Sequence, residues 1–187
     1  MEACILLTIN IRQVIEDADF VFENTPIRII ANRNCPKIEL VGLNIGELEE
    51  GNEYRLKFWI AHELENKGIV RIQEDERLSM KKLSKICYGE RTESVKTLSQ
   101  LMSDFYPRLR RYLLRLEKGS MKYHRASRFS QDLVNSRLKK IVSLASAPAQ
   151  TKLSLEKLTR EELVLYRRLY RIIKEWRRNI IGIRANP

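Results

Sequence analysis

The sequence predicts an α+β chain: a small N-terminal β-rich domain followed by an all-α domain of three long helices. Three observations carry this. Between Phe20 and Ile72, short runs of branched and aromatic residues are punctuated by Asn, Pro and Gly, the pattern of strands and turns. From Val95 onward, apolar residues recur every three or four positions, the period of an α-helix. Charge divides at the same place. Met1 to Glu90 holds 12 Lys+Arg against 16 Asp+Glu, while Arg91 to Pro187 holds 23 against 8. This reading divides the chain into a small β-rich domain with one helix (1–78), a connector (79–92) and a helical domain (93–187).

In order, Ile5 to Ile11 reads as a short strand and Arg12 to Ala18 as a helix or a turn. Phe20-Val21-Phe22, Ile27-Arg28-Ile29-Ile30 after Pro26, and Lys37 to Val41 after Pro36 read as strands of a meander. Leu43 to Glu53, with two glycines among acids, reads as a loop leading to a brief strand at Tyr54-Arg55-Leu56. Lys57 to Lys67 forms a compact amphipathic helix whose Phe58, Trp59 and Leu64 are expected in the small-domain core. Gly68 stands where a left-handed residue ends a helix. Ile69 to Ile72 is a strand, and Gln73 to Gly89 a connector with one helical turn.

The helical half opens with a heptad seam, Val95, Leu98, Met102, Phe105, Leu109, Tyr112 and Leu116. Pro107 must kink that helix or mark its true start near Ser103. After Gly119-Ser120 a second helix runs from Met121 to Ala147 and stops at Pro148. The last helical stretch, Leu153 to Ile181, contains a capping box at Thr159 and Glu162, a hydrophobic staple of Leu158 with Leu163, and Gly182 as its stop. Its apolar stripe runs Leu163, Tyr166, Leu169, Tyr170, Ile173, Trp176, Ile180, with arginines and Lys174 on the other face. Such a stripe is either a core face or a subunit interface.

Composition bounds the function. Hydrophobic content of 43% with 32% charged residues is that of a globular chain, and no apolar run approaches the roughly 20 residues of a membrane span. The N-terminus lacks the basic start of a signal peptide, which predicts an intracellular, cytoplasmic protein. Cys4, Cys35 and Cys87 are too far apart for a zinc site or a disulfide framework. His62 and His124 lie in different halves, and no nucleophile elbow, metalloprotease or phosphate-loop motif occurs. The reading is therefore non-enzymatic, without catalytic residues, metal or cofactor. The net charge of +11 concentrates around the first helical hairpin, in Arg108, Arg110, Arg111, Arg115, Lys118, Lys122, Arg125 and Arg128, with Lys139 and Lys140 extending it. This basic patch fits a nucleic acid or an acidic protein surface.

The stretch from Pro26 to Ile72, including Phe58-Trp59-Ile60-Ala61-His62-Glu63-Leu64 and Gly68-Ile69-Val70-Arg71-Ile72, resembles the small β-rich domain of the GINS complex. Arg137-Leu138-Lys139-Lys140-Ile141 through Leu158-Thr159-Arg160-Glu161-Glu162-Leu163 resembles the helical domain of the same family. The chain departs from the pattern at Lys57-Phe58, where Pro is expected before the Trp. With the small domain first, the order resembles the archaeal subunit related to the eukaryotic second and third Psf subunits. The resemblance implies a chromosome-associated, non-catalytic replication scaffold. It would pair with a paralogous subunit whose helical domain comes first, as a 2+2 hetero-tetramer. It would bridge the MCM helicase to a RecJ-family protein, touch primase or polymerase, and leave any DNA contact to the helical half. The runner-up is a stand-alone basic helical DNA-binding protein. Under the first reading Tyr112, Leu116, Tyr123, Phe129, Tyr166, Tyr170, Ile173 and Trp176 form the subunit interface.

Overall fold

The computed structural model describes residues 10–40, 42–93, 97–147 and 152–182. They fall into two compact units, one of residues 19–78 and one of the chain up to Ala18 together with everything from Ser79. The expected α+β class holds, a small β-rich unit followed by a helical one.

In the small unit, β1 (Pro26–Ala31) lies between β4 (Glu53–Lys57) and β5 (Val70–Ile72), antiparallel to both. Alternation along β1 sends Ile27, Ile29 and Ala31 inward, where they meet Val70, Ile72 and one face of α2 (Phe58–Asn66). β2 (Ile38–Leu40) and β3 (Leu43–Ile45) form a separate hairpin, so the expected loop from Leu43 begins with a strand. Gly68, at φ +69°, ends α2 as expected, and the Ile69 N–H donates to Leu64 O. The helix starts at Phe58 without a proline before its Trp.

Of the three α2 residues expected in the core, Leu64 is buried and Phe58 packs against the cluster and against Phe22. Trp59 does not belong there, being 40% exposed. The helix turns Ile60, Ala61 and Leu64 onto the sheet, and a residue one position before Ile60 points elsewhere.

Two further expectations change. Phe20-Val21-Phe22 is no strand but the last turn of α1 (Ile11–Glu23), because Val14, Ala18 and Phe22 repeat at helical spacing. Most of the Ile5 to Ile11 strand lies outside the described residues, and Ile11 itself begins α1. The 79–92 connector is α3 (Met80–Thr92), capped by Ser79 Oγ, with Leu83, Cys87 and Glu90 buried in the helical unit.

The helical unit continues with α4 (Phe105–Leu114), α5 (Met121–Ser146), a short α6 (Lys152–Glu156) and α7 (Arg160–Ile181). Pro107 marks a start: it sits in the first turn of α4, where its missing N–H costs nothing. The seam before it is not helical. Residues 97–104 form irregular chain, Leu98 is buried, Met102 faces solvent, and Val95 lies outside the described residues. The last helical stretch is two helices, since the capping box at Thr159 begins a new one.

Candidate interaction surfaces and the network that positions them

The centre of the helical unit is ionic. Arg137 of α5 is 1% exposed, and each of its five N–H groups has an acceptor. Nε and Nη2 grip the two oxygens of Glu162 at 2.7 and 2.6 Å, and Nη2 also reaches Lys157 O at 3.1 Å. Nη1 donates to Glu90 Oε2 at 3.0 Å and Ser99 O at 2.8 Å. One turn on, Lys140 Nζ donates to Glu90 O and Thr97 O at 2.7 and 2.8 Å and lies 2.8 Å from Glu90 Oε1. Tyr106 OH donates to Glu162 Oε1 at 2.7 Å. Two cations thus face two anions in a buried, neutral group that ties α3, α4, α5, the 97–101 segment and the start of α7 together. Lys140, expected to extend the basic patch, is instead one of these buried cations.

Burial alone would push Glu90 up. Hydrogen bonds from Lys140 and Ser99 and the charge of Arg137 outweigh it and hold the carboxyl below its ordinary range. Burial likewise pulls the Arg137 guanidinium down, but Glu162 and Glu90 keep it above its usual value. Burial and the Glu162 charge push the Tyr106 phenol up, so it stays neutral and donates.

Glu162 has a second task. Its Oε2 accepts the Thr159 N–H at 3.0 Å while Thr159 Oγ1 accepts the Glu162 N–H, closing the capping box. The carboxylate that starts α7 is therefore also the one that Arg137 holds.

This anchor sets the course of α7. Contacts advance in the same sense along both helices, Arg137 with Glu162, Ile141 with Tyr166, then Ser146 with Arg177, so α5 and α7 run parallel. Counting on from Arg137 and Glu162 sets Ser146, the last residue of α5, level with Arg171. Residues 172–181 project past the end of α5 by about 15 Å. Leu163, Tyr166, Leu169 and Tyr170 before that point, and Ile173 just past it, pack on Ile141, Leu144 and Ala145. Beyond it Ile172, Trp176 and Ile180 are 62%, 61% and 66% exposed.

A second apolar surface is a groove of about 350 Å³, lined by Ile11, Val14 and Ile15 of α1, Val134 and Leu138 of α5 and Leu165 of α7. Val134, Leu138 and Val142 make an exposed stripe at four-residue spacing. The Glu161 carboxylate lies in this groove without a hydrogen bond, Arg110 Nη2 standing 3.7 Å away.

A third surface is a cleft of about 600 Å³ where α3, α4 and the start of α5 meet, with Met80, Tyr112, Lys122, His124, Arg125 and Arg128 in its walls.

The predicted patch is thereby divided. Lys122, Arg125 and Arg128 share the cleft, Arg110 faces the apolar groove, and Arg108 is largely buried beside Asp104 at 2.8 Å. Arg111, Arg115 and Lys118 line neither. Among the eight residues expected at the subunit interface, Tyr166 is buried within the unit itself. Tyr112, Leu116, Tyr123, Phe129, Tyr170 and Ile173 are partly buried, and of the eight Trp176 alone is exposed. Sequence reasoning missed Ile172 and the Val134, Leu138, Val142 stripe, whose four-residue spacing beside the Leu133 and Ile141 face was the available signal. It also missed the pairing of Arg137 with Glu90. Among the described residues no helix is long and apolar enough to cross a membrane, and no His/Cys/Asp/Glu group gathers to hold a metal.

A β-sheet unit followed by a helical unit with bare apolar helix faces is the construction of an assembly subunit. The GINS complex protein helical bundle domain matches residues 71–181, and the PSF2 N-terminal domain matches residues 14–73. The chain belongs to the GINS family and is related to its PSF2 subunits. The human DNA replication complex GINS protein PSF2 is 29% identical over 98 residues, 52% of this chain and 52% of the human protein, so the chain matches about half the length of that relative.

Proposed function

We propose that this chain is a non-catalytic scaffold subunit of a DNA replication complex, assembled through its helical unit with a paralogous subunit whose helical domain comes first. Two copies of each make the complex. It bridges and activates the replicative MCM helicase, joins it to a RecJ-family protein, and reaches primase or polymerase. The observation that carries the reading is the apolar end of α7. Ile172, Trp176 and Ile180 extend past the end of α5, and water is a poor solvent for them. Family membership and likeness to a human replication protein support the same conclusion. A stand-alone DNA-binding protein would have use for the basic cleft but none for this face.

The test is coexpression with a helical-first paralogue and measurement of mass by light scattering. Ile172→Asp with Trp176→Asp changes only exposed side chains and so spares the fold. Tyr170 is a poorer target, since its ring stacks on Tyr166 inside the unit. A 2+2 mass that collapses in the double variant supports the proposal. Equal masses for native and variant complexes, or no complex with the native chain, would overturn it.

A further inference from the structure

The assembly reading rests on the α7 tip and not on the cleft between α3, α4 and α5, yet the chemistry of that cleft is specific. Lys122, Arg125 and Arg128 follow one another at intervals of three along α5, with His124 beside them and no acidic residue in the walls. Lys122 and Arg128 are exposed and form no ion pair among the described residues. Arg125 holds its guanidinium carbon over the Phe129 ring, 5.7 Å from the centroid, and the residue is exposed.

Folding does not call for these charges. They occupy the first turns of a 26-residue helix, the end where aligned peptide dipoles are already positive, and the first turn carries no acid to offset them. Cations placed against a helix dipole and left without counter-charges are stabilised by an anion that arrives later. Tyr112 and Met80, both half-buried, give the cleft an aromatic and apolar wall as well as its cations.

We propose that this cleft binds single-stranded nucleic acid, its phosphates running along Lys122, Arg125 and Arg128 and one base lying against Tyr112. A polyanion with charge at regular intervals and a planar ring beside each charge matches both walls. A duplex keeps its bases stacked inside and offers none to the tyrosine. An acidic peptide would satisfy the cations and leave the aromatic wall unused. The inference does not depend on the assembly reading, because the cleft lies wholly within this chain's helical unit.

Anisotropy of a labelled oligothymidylate of about 20 nucleotides, titrated with the full chain, tests it. Three phosphate contacts give a log–log salt slope near −2, so affinity falls about 20-fold between 50 and 200 mM salt. Lys122→Glu with Arg128→Glu weakens binding at least tenfold and flattens the slope. Tyr112→Ala, checked for native circular dichroism, weakens binding about tenfold with the slope unchanged. Binding unaffected by the charge reversal, tighter binding to a duplex of the same length, or displacement by polyglutamate as readily as by unlabelled strand would each overturn the proposal, the last assigning the cleft to an acidic protein.

Discussion

Replacing Arg137 with Met removes the cation on which two buried carboxylates depend. Adding five hydrogen bonds, three of them to carboxylates, at the usual value of about 1 to 3 kcal/mol each overstates the cost, because the carboxylates have an alternative. Glu90 retains Lys140. Glu162 keeps Tyr106 and the Thr159 N–H of its own cap. The total is about 5 kcal/mol, in line with the loss seen when one partner of a buried pair is removed. For a unit of this size the midpoint of thermal unfolding drops by about 20 °C or more.

Urea unfolding followed by circular dichroism measures the loss, and a second variant identifies its origin. Arg137→Met with Glu162→Gln recovers at least half of the loss, since Gln still closes the capping box. A single variant within about 1 kcal/mol of the native chain, or a double variant that recovers none of the loss, refutes the account.

Three further outcomes follow from the same geometry. Glu90 is held below its unfolded value, so its contribution is complete above about pH 4.5 and disappears as pH falls through the folded value. Acid unfolding of Glu90→Gln should be less steep than that of the native chain. Burial, reinforced by Asp132, pushes the Cys87 thiol up to about 11, and its Sγ donates to Phe129 O. At pH 8 about one molecule in a thousand carries the thiolate, so mass spectrometry after brief alkylation should find Cys35 modified and Cys87 intact until urea is added. Thr159→Ala, which deletes the cap at the start of α7, should lower stability by about 1 kcal/mol in the same urea titration, and Thr159→Ser should restore it.

What the sequence disclosed depended on whether the signal was local. Thr159 and Glu162 stand three residues apart, and their capping box could be read directly. The same held for Gly68 behind α2, for Met121 to Ser146 as one helix, and for the alternating Ile27 and Ile29. Signals that mixed two purposes misled. Phe20-Val21-Phe22 has the branched and aromatic composition of a strand, yet only Phe22 is buried, and helical spacing from Val14 governs it. In α3 the charged run from Lys81 hid Leu83, Cys87 and Glu90, one buried residue per turn. The site was least legible where it depends on partners far apart in sequence. Lys140 looked like surface charge until Glu90, 50 residues away, was found beneath it, and nothing local marked Arg137, whose contact with Glu90 spans 47 residues. On α7 one stripe divides into a buried root and a bare tip, because α5 ends first. No periodicity within α7 could reveal where its neighbour stops.

Glu162 links two events that most helices keep separate. A helix end ordinarily frays, opening and closing its first turn independently of the rest of the protein. Here the first turn of α7 cannot open without withdrawing the carboxylate that Arg137 needs, so its amides should exchange with solvent only when the whole unit unfolds. The opposite end is held more lightly, by Ile173 packed on the α5 cluster and by Arg177 donating to Ser146 O. A helix clamped at its root and lightly held at its tip can adjust its angle to whatever covers Trp176 without disturbing the core that holds it.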